Sequence, residues 1–470
     1  MKSHLLTATA IMLLTAGLAA AQPVETIIVT SAADSGPGSL RAALATAAVS
    51  ETPSQILLAA GTPVAIETTL SYEGSASLSI VGTGQMIMTG NNVTLIAVPN
   101  GADLTLTGLT LVGPGGFDIN NRGDLDGPAG KGLFIGVPID AIGPIHLNLT
   151  DVTVKNVAGH GVHISDCSLA DACGGGAGGG GDGSPASLVI NATNLTIDGV
   201  GYGRFDADGL RADERGPGSI TFTAIGSTFH GVGADGVELD EGDAGDITVL
   251  VVDSVFSANG NYCDPSVLGA FLPDQAEAAF DDGTTAADAI PGPITDAPDN
   301  ACIEREVDFY DSGFVAEYAF GLDLDDGIDL DEAGDGSLIA TMLGARVAGN
   351  LDEGIDFDEE GAGDIHVSFV ATSAEENTDD GFKMSEYGAG DVTGIIDHSG
   401  ARANGGKGMV FEEEDAGDVA VTITNVTTAN NDDSDDTGVE VVQDDDGVGT
   451  LTVVSSDIAD GFDVEGVTVQ

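Results

Sequence analysis

The chain has 470 residues, 69 of them glycine, with no tryptophan and 5% aromatic residues. That is little aromatic bulk for a compact enzyme core of this length, and ample for a glycine-punctuated stack of short strands. The formal net charge of −64 excludes nucleic acid as a partner, because a polyphosphate is repelled by such a surface. The acids are also unevenly spread: residues 22–199 hold 15 acids and 4 bases, whereas residues 200–470 hold 62 and 8. General adaptation to salt would spread them over the whole surface, so the bias points to one particular acidic stretch.

In chain order, the first element is a signal peptide over residues 1–21. Lys2 precedes an apolar run from Leu5 to Leu18, and Ala19, Ala20 and Ala21 give the small-residue cleavage pattern that makes Gln22 the first mature residue. The run is too short and too rich in Ala and Thr to span a bilayer, and no later segment has 18 uninterrupted apolar residues. The expectation is a secreted protein with no integral membrane span, extracellular, on the cell surface or periplasmic. Export permits disulfides. Four cysteines allow three pairings, of which Cys167 with Cys173 and Cys263 with Cys302 is the least costly, since each pair brackets one irregular insertion.

Residues 22–60 read as an N-terminal cap. The segment from Thr30 to Leu44, with its Ser-Gly-Pro-Gly-Ser-Leu-Arg run, resembles the opening segment of bacterial β-helix proteins. Ser39 is placed to cap a helix from Leu40 to about Ala48, which would plug the open apolar end of a strand stack. The segments starting at Leu78 and Leu104 then alternate apolar and polar residues as early coils. Irregular stretches at about 113–145, 166–186 and 261–312 read as loop insertions.

Beyond residue 200 the chain repeats itself. Gly327, Gly354, Gly381 and Gly408 are each 27 residues apart, Gly438 follows after 30, and Gly461 opens a short last unit. Gly236 and Gly209 extend the column backwards, and Gly161 joins it if 166–186 is an insertion. One and three residues after each glycine the chain is apolar (Ile328 and Leu330, Ile355 and Phe357, Phe382 and Met384), with polar neighbours between. That is a strand with one buried face. A second strand starts about ten residues after the glycine, behind turn signals such as Gly363-Asp364 and Gly390-Asp391, and a third near the end of each unit would close a triangular coil. No 3.6-residue period is present, so the repeat specifies a β-solenoid whose coils bury their apolar faces only by stacking.

Asn350, Asn377, Asn404 and Asn431 are also 27 apart, as a ladder of stacked amides requires. This column and the repeat resemble the pectate-lyase-like superfamily. The resemblance implies an all-β, right-handed parallel β-helix over residues 61–470, with the acidic coils over 200–470. It is weak on activity, because that superfamily hosts lyases, hydrolases and adhesins.

Coils stack about 4.8 Å apart, so residues in one register form rows, and three rows are acidic. One residue before the glycine stand Asp208, Asp235, Asp326, Glu353 and Asp380; four after it, Asp213, Asp240, Asp331, Asp358 and Glu412; five after it, Glu214, Glu241, Glu332, Glu359, Glu386 and Glu413. Like charges ~5 Å apart repel by roughly 1 kcal/mol in water, and dozens of such contacts would rival a domain's whole stability of about 5–15 kcal/mol. Raised carboxyl pKa values or bound cations must offset this. Clustered oxygen ligands suit Ca²⁺, and the expected ligands are Asp213, Glu214, Asp240, Glu241, Asp326, Asp331, Glu332, Asp358, Glu359, Glu386, Glu412 and Glu413.

A second constellation precedes these rows. Register places His160 beside Asp208 and Asp235, and puts His163, Arg211 and Glu238 in one outward row with Asp206 close by. Paired carboxylates with His and Arg suit acid–base work on a glycoside. The Gly159-His160-Gly161 run resembles one motif of the polygalacturonase family, although the acidic motifs precede it there and follow it here. An Arg-based lyase, with Arg211 abstracting the proton and Ca²⁺ on the substrate carboxylate, is a related expectation. The sequence thus points to a secreted, acidic, calcium-binding protein that meets extracellular polysaccharide or cell-surface matrix through divalent cations. The alternative is a polysaccharide lyase or glycoside hydrolase acting on a uronate-containing glycan, with His160, His163, Asp206, Asp208, Arg211, Asp235 and Glu238 as its catalytic set.

Overall fold

The computed structural model describes residues 24–59, 61, 63–122, 129–169, 173, 181–431, 437–444 and 447–470. The expected leader and most of the glycine run after Cys173 lie outside the described residues. Strands of successive units pair in parallel and in register. Ile328–Glu332 lies along Ile355–Glu359 residue for residue at an offset of one repeat. Twelve such strands, from Leu70–Ser71 to Phe462–Glu465, form one sheet. A second row passes through Leu188–Thr193, Ile365–Val370 and Gly449–Val454, and a third, of three-residue strands, through Thr196–Asp198, Ser373–Glu375 and Thr427–Ala429. Crossovers between parallel strands take the right hand because of strand twist. The chain is a right-handed parallel β-helix.

Its corners are made by single left-handed residues. Between the second and third strands of each coil φ is positive at Asp151, Asn194, Asp253, Ala371, His398, Asn425 and Ser455. Outside glycine this conformation costs roughly 1–2 kcal/mol per residue, and here it is held by the strands stacked on both sides. After the third strand comes the amide ladder. Nδ2 of Asn350 donates to Oδ1 of Asn377 at 2.9 Å, Asn377 to Asn404 at 2.9 Å, and Asn404 to Asn431 at 2.9 Å. The ladder is longer than the repeat suggested: Asn259 donates to Asn350 at 3.0 Å, and Asn431 ends it on Asp460 at 2.8 Å. The glycines of the turns after the acidic strands are just as constrained. A Cβ on Gly363 would sit 1.3 Å from the carbonyl oxygen of Gly336, and one on Gly336 would sit 1.6 Å from that of Gly245.

Inward residues of all three rows merge into one core, in which Ile328, Leu330, Ile355, Phe357, Ile365 and Phe369 are fully buried. The helix expected after Ser39 spans Leu40–Ala47, and Ser39 Oγ accepts the N–H of Ala42 at 3.2 Å. Its Leu40, Ala43, Leu44 and Ala47 face is buried against the strands Glu25–Val29, Ser54–Leu58 and Leu70–Ser71. The segment read as a cap therefore also supplies two strands of the stack, Glu25–Val29 and Ser54–Leu58.

The insertions differ in detail from their expected bounds. Leu133–Gly136, inside the stretch read as irregular, is a regular strand of the twelve-stranded sheet, paired on both sides. The last insertion runs further than residue 312, because its own antiparallel sheet (Glu277–Ala279, Ile303–Phe309, Val315–Leu322) ends only at Leu322. The stack ignores this excursion: Asn259 meets Asn350 as though the 91-residue step were one coil. Both disulfides, Cys167–Cys173 and Cys263–Cys302, are formed. Cys263–Cys302 joins Ile119, Tyr262 and Leu268 in a satellite core, and Arg122 pairs with Asp299, so the first and last insertions lean on each other.

Replacing Asn377 by Ala removes its side-chain bonds to both neighbours and strands the Asn350 donors in the interior. Buried groups left unsatisfied cost about 1–3 kcal/mol each. Asn377→Ala should therefore lower the urea midpoint strongly, while Asn261→Ala, outside the ladder, should move it little; equal shifts would contradict the ladder's role.

Candidate functional site

The outward row of the twelve-stranded sheet reads Phe134, His163, Arg211, Glu238, Asp329, Asp356 and Lys383. Two residues further along the strands a second row reads Ser165, Asp213, Asp240, Asp331, Asp358, Ser385 and Glu412. Like-for-like stacking of the carboxylates is therefore a property of the structure.

Arg211 sits at the meeting point of the first constellation. Its guanidinium contacts Asp213 at 2.7 Å, Asp240 at 2.6 Å, Asp206 at 3.2 Å, Asp208 at 3.4 Å, and Glu238. Burial opposes its charge, but Glu238, Asp240, Asp213 and Asp206 overcome that and hold its pKa well above the usual value. Burial alone would lift Asp213; Arg211 and His163 instead pull it well below the carboxylate range. Asp235 is pushed well up by burial and by Asp208. Burial also lifts Glu238 and Asp240, with Arg211 pulling both back. His163 bridges Asp213 (Nε2, 2.8 Å) and Lys131, which lies on its Nδ1 side and over the Phe134 ring. Nδ1 of His160 accepts the Asp208 N–H at 3.0 Å. Burial, reinforced by the neighbouring cations, lowers the pKa of both imidazoles and keeps them neutral.

The seven residues expected to form a catalytic set are thus brought together, but as a closed network. His160, His163, Asp208, Arg211, Asp235 and Glu238 are buried, and only Asp206, with a side chain 44% exposed, reaches solvent. A general acid or base must reach the proton it moves, and Arg211, saturated by five carboxylates, has no capacity to abstract one. Lys131, not among the expected residues, belongs to this network too: it precedes Gly132 as His160 precedes Gly161, so it stands in the same column, one coil before the first glycine of the sequence repeat. Asp325 and Asp352 were also missed, although Asp325, Asp352 and Asp379 form a fourth acidic row at the 27-residue period.

The glutamate row has a different environment. Position five shares parity with positions one and three, so the alternation that buries Ile355 and Phe357 also turns Glu359 inward. Glu214, Glu241, Glu332, Glu359, Glu386 and Glu413 are all sealed from solvent. Oε1 of Glu359 accepts the N–H groups of Gly361 at 3.1 Å and Gly363 at 3.0 Å, and Glu386 repeats this with Gly388 and Gly390. Oε2 of Glu214, Glu332, Glu359 and Glu386 meets no donor and faces the carboxyl of a neighbouring coil. Two ionised carboxylates cannot bond to each other; one proton converts the contact into O–H···O. Burial first raises Glu332 and Glu359 to about 7, Glu386 to about 8 and Glu214 to about 11; for Glu332 and Glu359 one stacked partner adds to the rise and the other opposes it. At the last coil Gln443 replaces the acid. Its Nε2 donates to Glu413, and its Oε1 accepts the N–H of Val419 at 2.9 Å. These six glutamates, expected among the calcium ligands, therefore line the inside of a turn, where Glu214, Glu332, Glu359 and Glu386 each commit one oxygen to backbone amides and Glu241 commits both.

Among the described residues, carboxylate oxygens come together in two places at the strand entrance. Asp206, Asp208 and Glu238 form one group and Asp326, Asp352 and Glu353 another, the oxygens of each lying within 4.8 Å of one another. Burial and the neighbouring acids also push Asp325 well up, and Asp352 to about 9.

No protein-family model matches the sequence, and no curated protein matches it. Among solved structures the chain is similar to PfbA, a surface adhesin of Streptococcus pneumoniae (9% identity, 95% of this chain and 93% of that one, TM-score 0.41). It is also similar to a periplasmic alginate epimerase (9% identity, 89% of this chain and 77% of that one, TM-score 0.34) and to the catalytic domain of an alpha-1,3-glucanase in complex with nigerose (12% identity, 94% of this chain and 69% of that one, TM-score 0.32). At these identities the likeness concerns the fold.

Two outcomes follow from the buried charges. The folded pKa values of the glutamate ladder lie above the unfolded value, so its contribution is full below the ordinary glutamate pKa and is lost as pH rises through about 7 to 8. The melting temperature should fall between pH 6 and pH 9, and Glu359→Gln, which copies Gln443, should flatten that fall; an unchanged slope would count against shared protons. Arg211→Met leaves buried carboxylates without their counter-ion and should destabilise the fold by about 3–5 kcal/mol, measured by chemical unfolding at low calcium.

Proposed function

We propose that this protein is an extracellular binding protein whose acidic sheet takes up Ca²⁺ and, through the bound ions, holds an anionic, uronate-containing polysaccharide. One observation carries the reading. The row that Arg211 neutralises continues as Glu238, Asp329 and Asp356 with no second guanidinium, while Asp326, Asp356 and Asp358 each keep a buried oxygen without a hydrogen-bond partner among the described residues. Buried carboxylate oxygens in that state call for a cation or a proton. Hard, irregular oxygen clusters suit Ca²⁺ better than Mg²⁺, which demands near-octahedral geometry.

A surface repeating once per coil matches a polymer better than a small molecule. A polyuronate approaching a chain of net charge −64 needs counter-charge between the two surfaces, and a divalent ion supplies it. Binding is favoured over turnover because six of the seven residues of the expected catalytic set are sealed. Export is part of this reading. The two disulfides suit an oxidising compartment, and no helix among the described residues is long and apolar enough to cross a membrane.

A thermal melt of the intact protein in millimolar Ca²⁺ should lie well above one in chelator, since a ligand bound only by the folded state stabilises it by about 2.7 kcal/mol at a hundredfold excess over Kd. Immobilised protein should retain polygalacturonate or alginate in Ca²⁺ and release it in chelator, with no unsaturated products or new reducing ends. Identical melts in both buffers would sink the calcium part; appearance of product would replace binding by catalysis.

A further inference from the structure

The five carboxylates just before the strand glycines, Asp208, Asp235, Asp326, Glu353 and Asp380, divide into two kinds. Oδ1 of Asp208 accepts the N–H of Asp235, Oδ1 of Asp235 accepts that of Asp326, and Oδ1 of Asp380 accepts that of Lys407. Each of these three carboxylates is thus held by the backbone of the next coil. Asp326 and Glu353 make no such bond among the described residues, and Oδ1 of Asp326 has no hydrogen-bond partner, although the residue is only 8% exposed. At that step the carboxylates of Asp326, Asp352 and Glu353 converge to within 4.8 Å.

We infer that Asp326, Asp352 and Glu353 form a discrete site for a hard divalent cation, of which Ca²⁺ is the fitting size, and that this ion does for the middle coils what the Arg211 guanidinium does for the earlier ones. The inference rests on the cation-binding reading above and locates it. The comparison with the other cluster is the main argument. Asp206, Asp208 and Glu238 converge just as closely, but Arg211 lies among them, in contact with all three. In the register of Arg211 the following coils carry Glu238, Asp329 and Asp356, so no guanidinium stands at the corresponding place beside the second group. The nearest base of the next coil, Lys383, lies 2.8 Å from Asp356 and 3.5 Å from Glu353 and offers one charge to both. Size agrees. Oxygens on opposite sides of one Ca²⁺, at bonds of about 2.3–2.6 Å, are about 5 Å apart, so a single ion spans the group.

The experiment is calcium titration of the intact protein by calorimetry, with Tb³⁺ luminescence as a second probe, on the wild type, Asp352→Asn, Glu353→Gln and, as a remote control, Asp274→Asn in the exposed insertion. The wild type and the control should bind with equal stoichiometry. Asp352→Asn and Glu353→Gln should each lose one ion per chain or weaken it at least tenfold. In chelator the two variants should melt at or above the wild type, because each removes a repelling carboxylate; a purely structural role would lower the melt with and without calcium. If the wild type binds calcium and both variants bind it equally well, the ion lies elsewhere on the face and this site is wrong while the cation reading stands. If the wild type binds none, both fall.

Discussion

Residues of successive coils stack in register, like on like through most of the acidic repeat, and a polar side chain is tolerated in such a row only if it can bond to a copy of itself or be neutralised. Asparagine meets the condition unaided, because its amide has both a donor and an acceptor, and the ladder from Asn259 to Asn431 follows. Glycine meets it by having no Cβ to collide with the carbonyl below. A carboxylate has only acceptors and cannot meet it alone.

The acidic rows show how that deficit is made up. In the turn row the glutamates point one oxygen at glycine amides and face each other with the second, so a proton is the connector, and Gln443 supplies the same hydrogen atom from its amide. On the outer face of the first acidic coils the connector is Arg211, with His163 and Lys131 at the flank. Beyond those coils no guanidinium is present on the outer face, Lys383 alone pairs with Asp356 and Glu353, and the proposed ion supplies the remaining positive charge. Proton, guanidinium and metal are three answers to one electrostatic problem, and they differ in what the environment can remove: high pH strips the first, nothing short of mutation the second, and chelation the third.

This view also separates structure from function in the first constellation. Its histidines and carboxylates look catalytic when read as residue types. Their burial and mutual saturation instead make a brace that holds like charges across the coils next to the insertions. The insertions lean on one another through Arg122 and the satellite core around Cys263–Cys302, and the stack passes through their attachment points without losing register.

The sequence by itself determined the fold class, the coil length, the amide ladder, the helix behind Ser39 and the alignment of His163 with Arg211 and Glu238, because period-two alternation and a fixed repeat convert spacing directly into position. The parity of Glu359 with Ile355 and Phe357 was equally legible, and it carries the inward direction of the whole glutamate row. Only the tertiary structure decided which carboxylates meet a backbone amide, which meet Arg211 and which are left without a partner. Those contacts depend on side-chain rotamers, which repeat spacing does not specify. It also decided that six of the seven would-be catalytic residues are buried, since their side chains turn onto one another and onto neighbouring coils, a direction that residue spacing does not record.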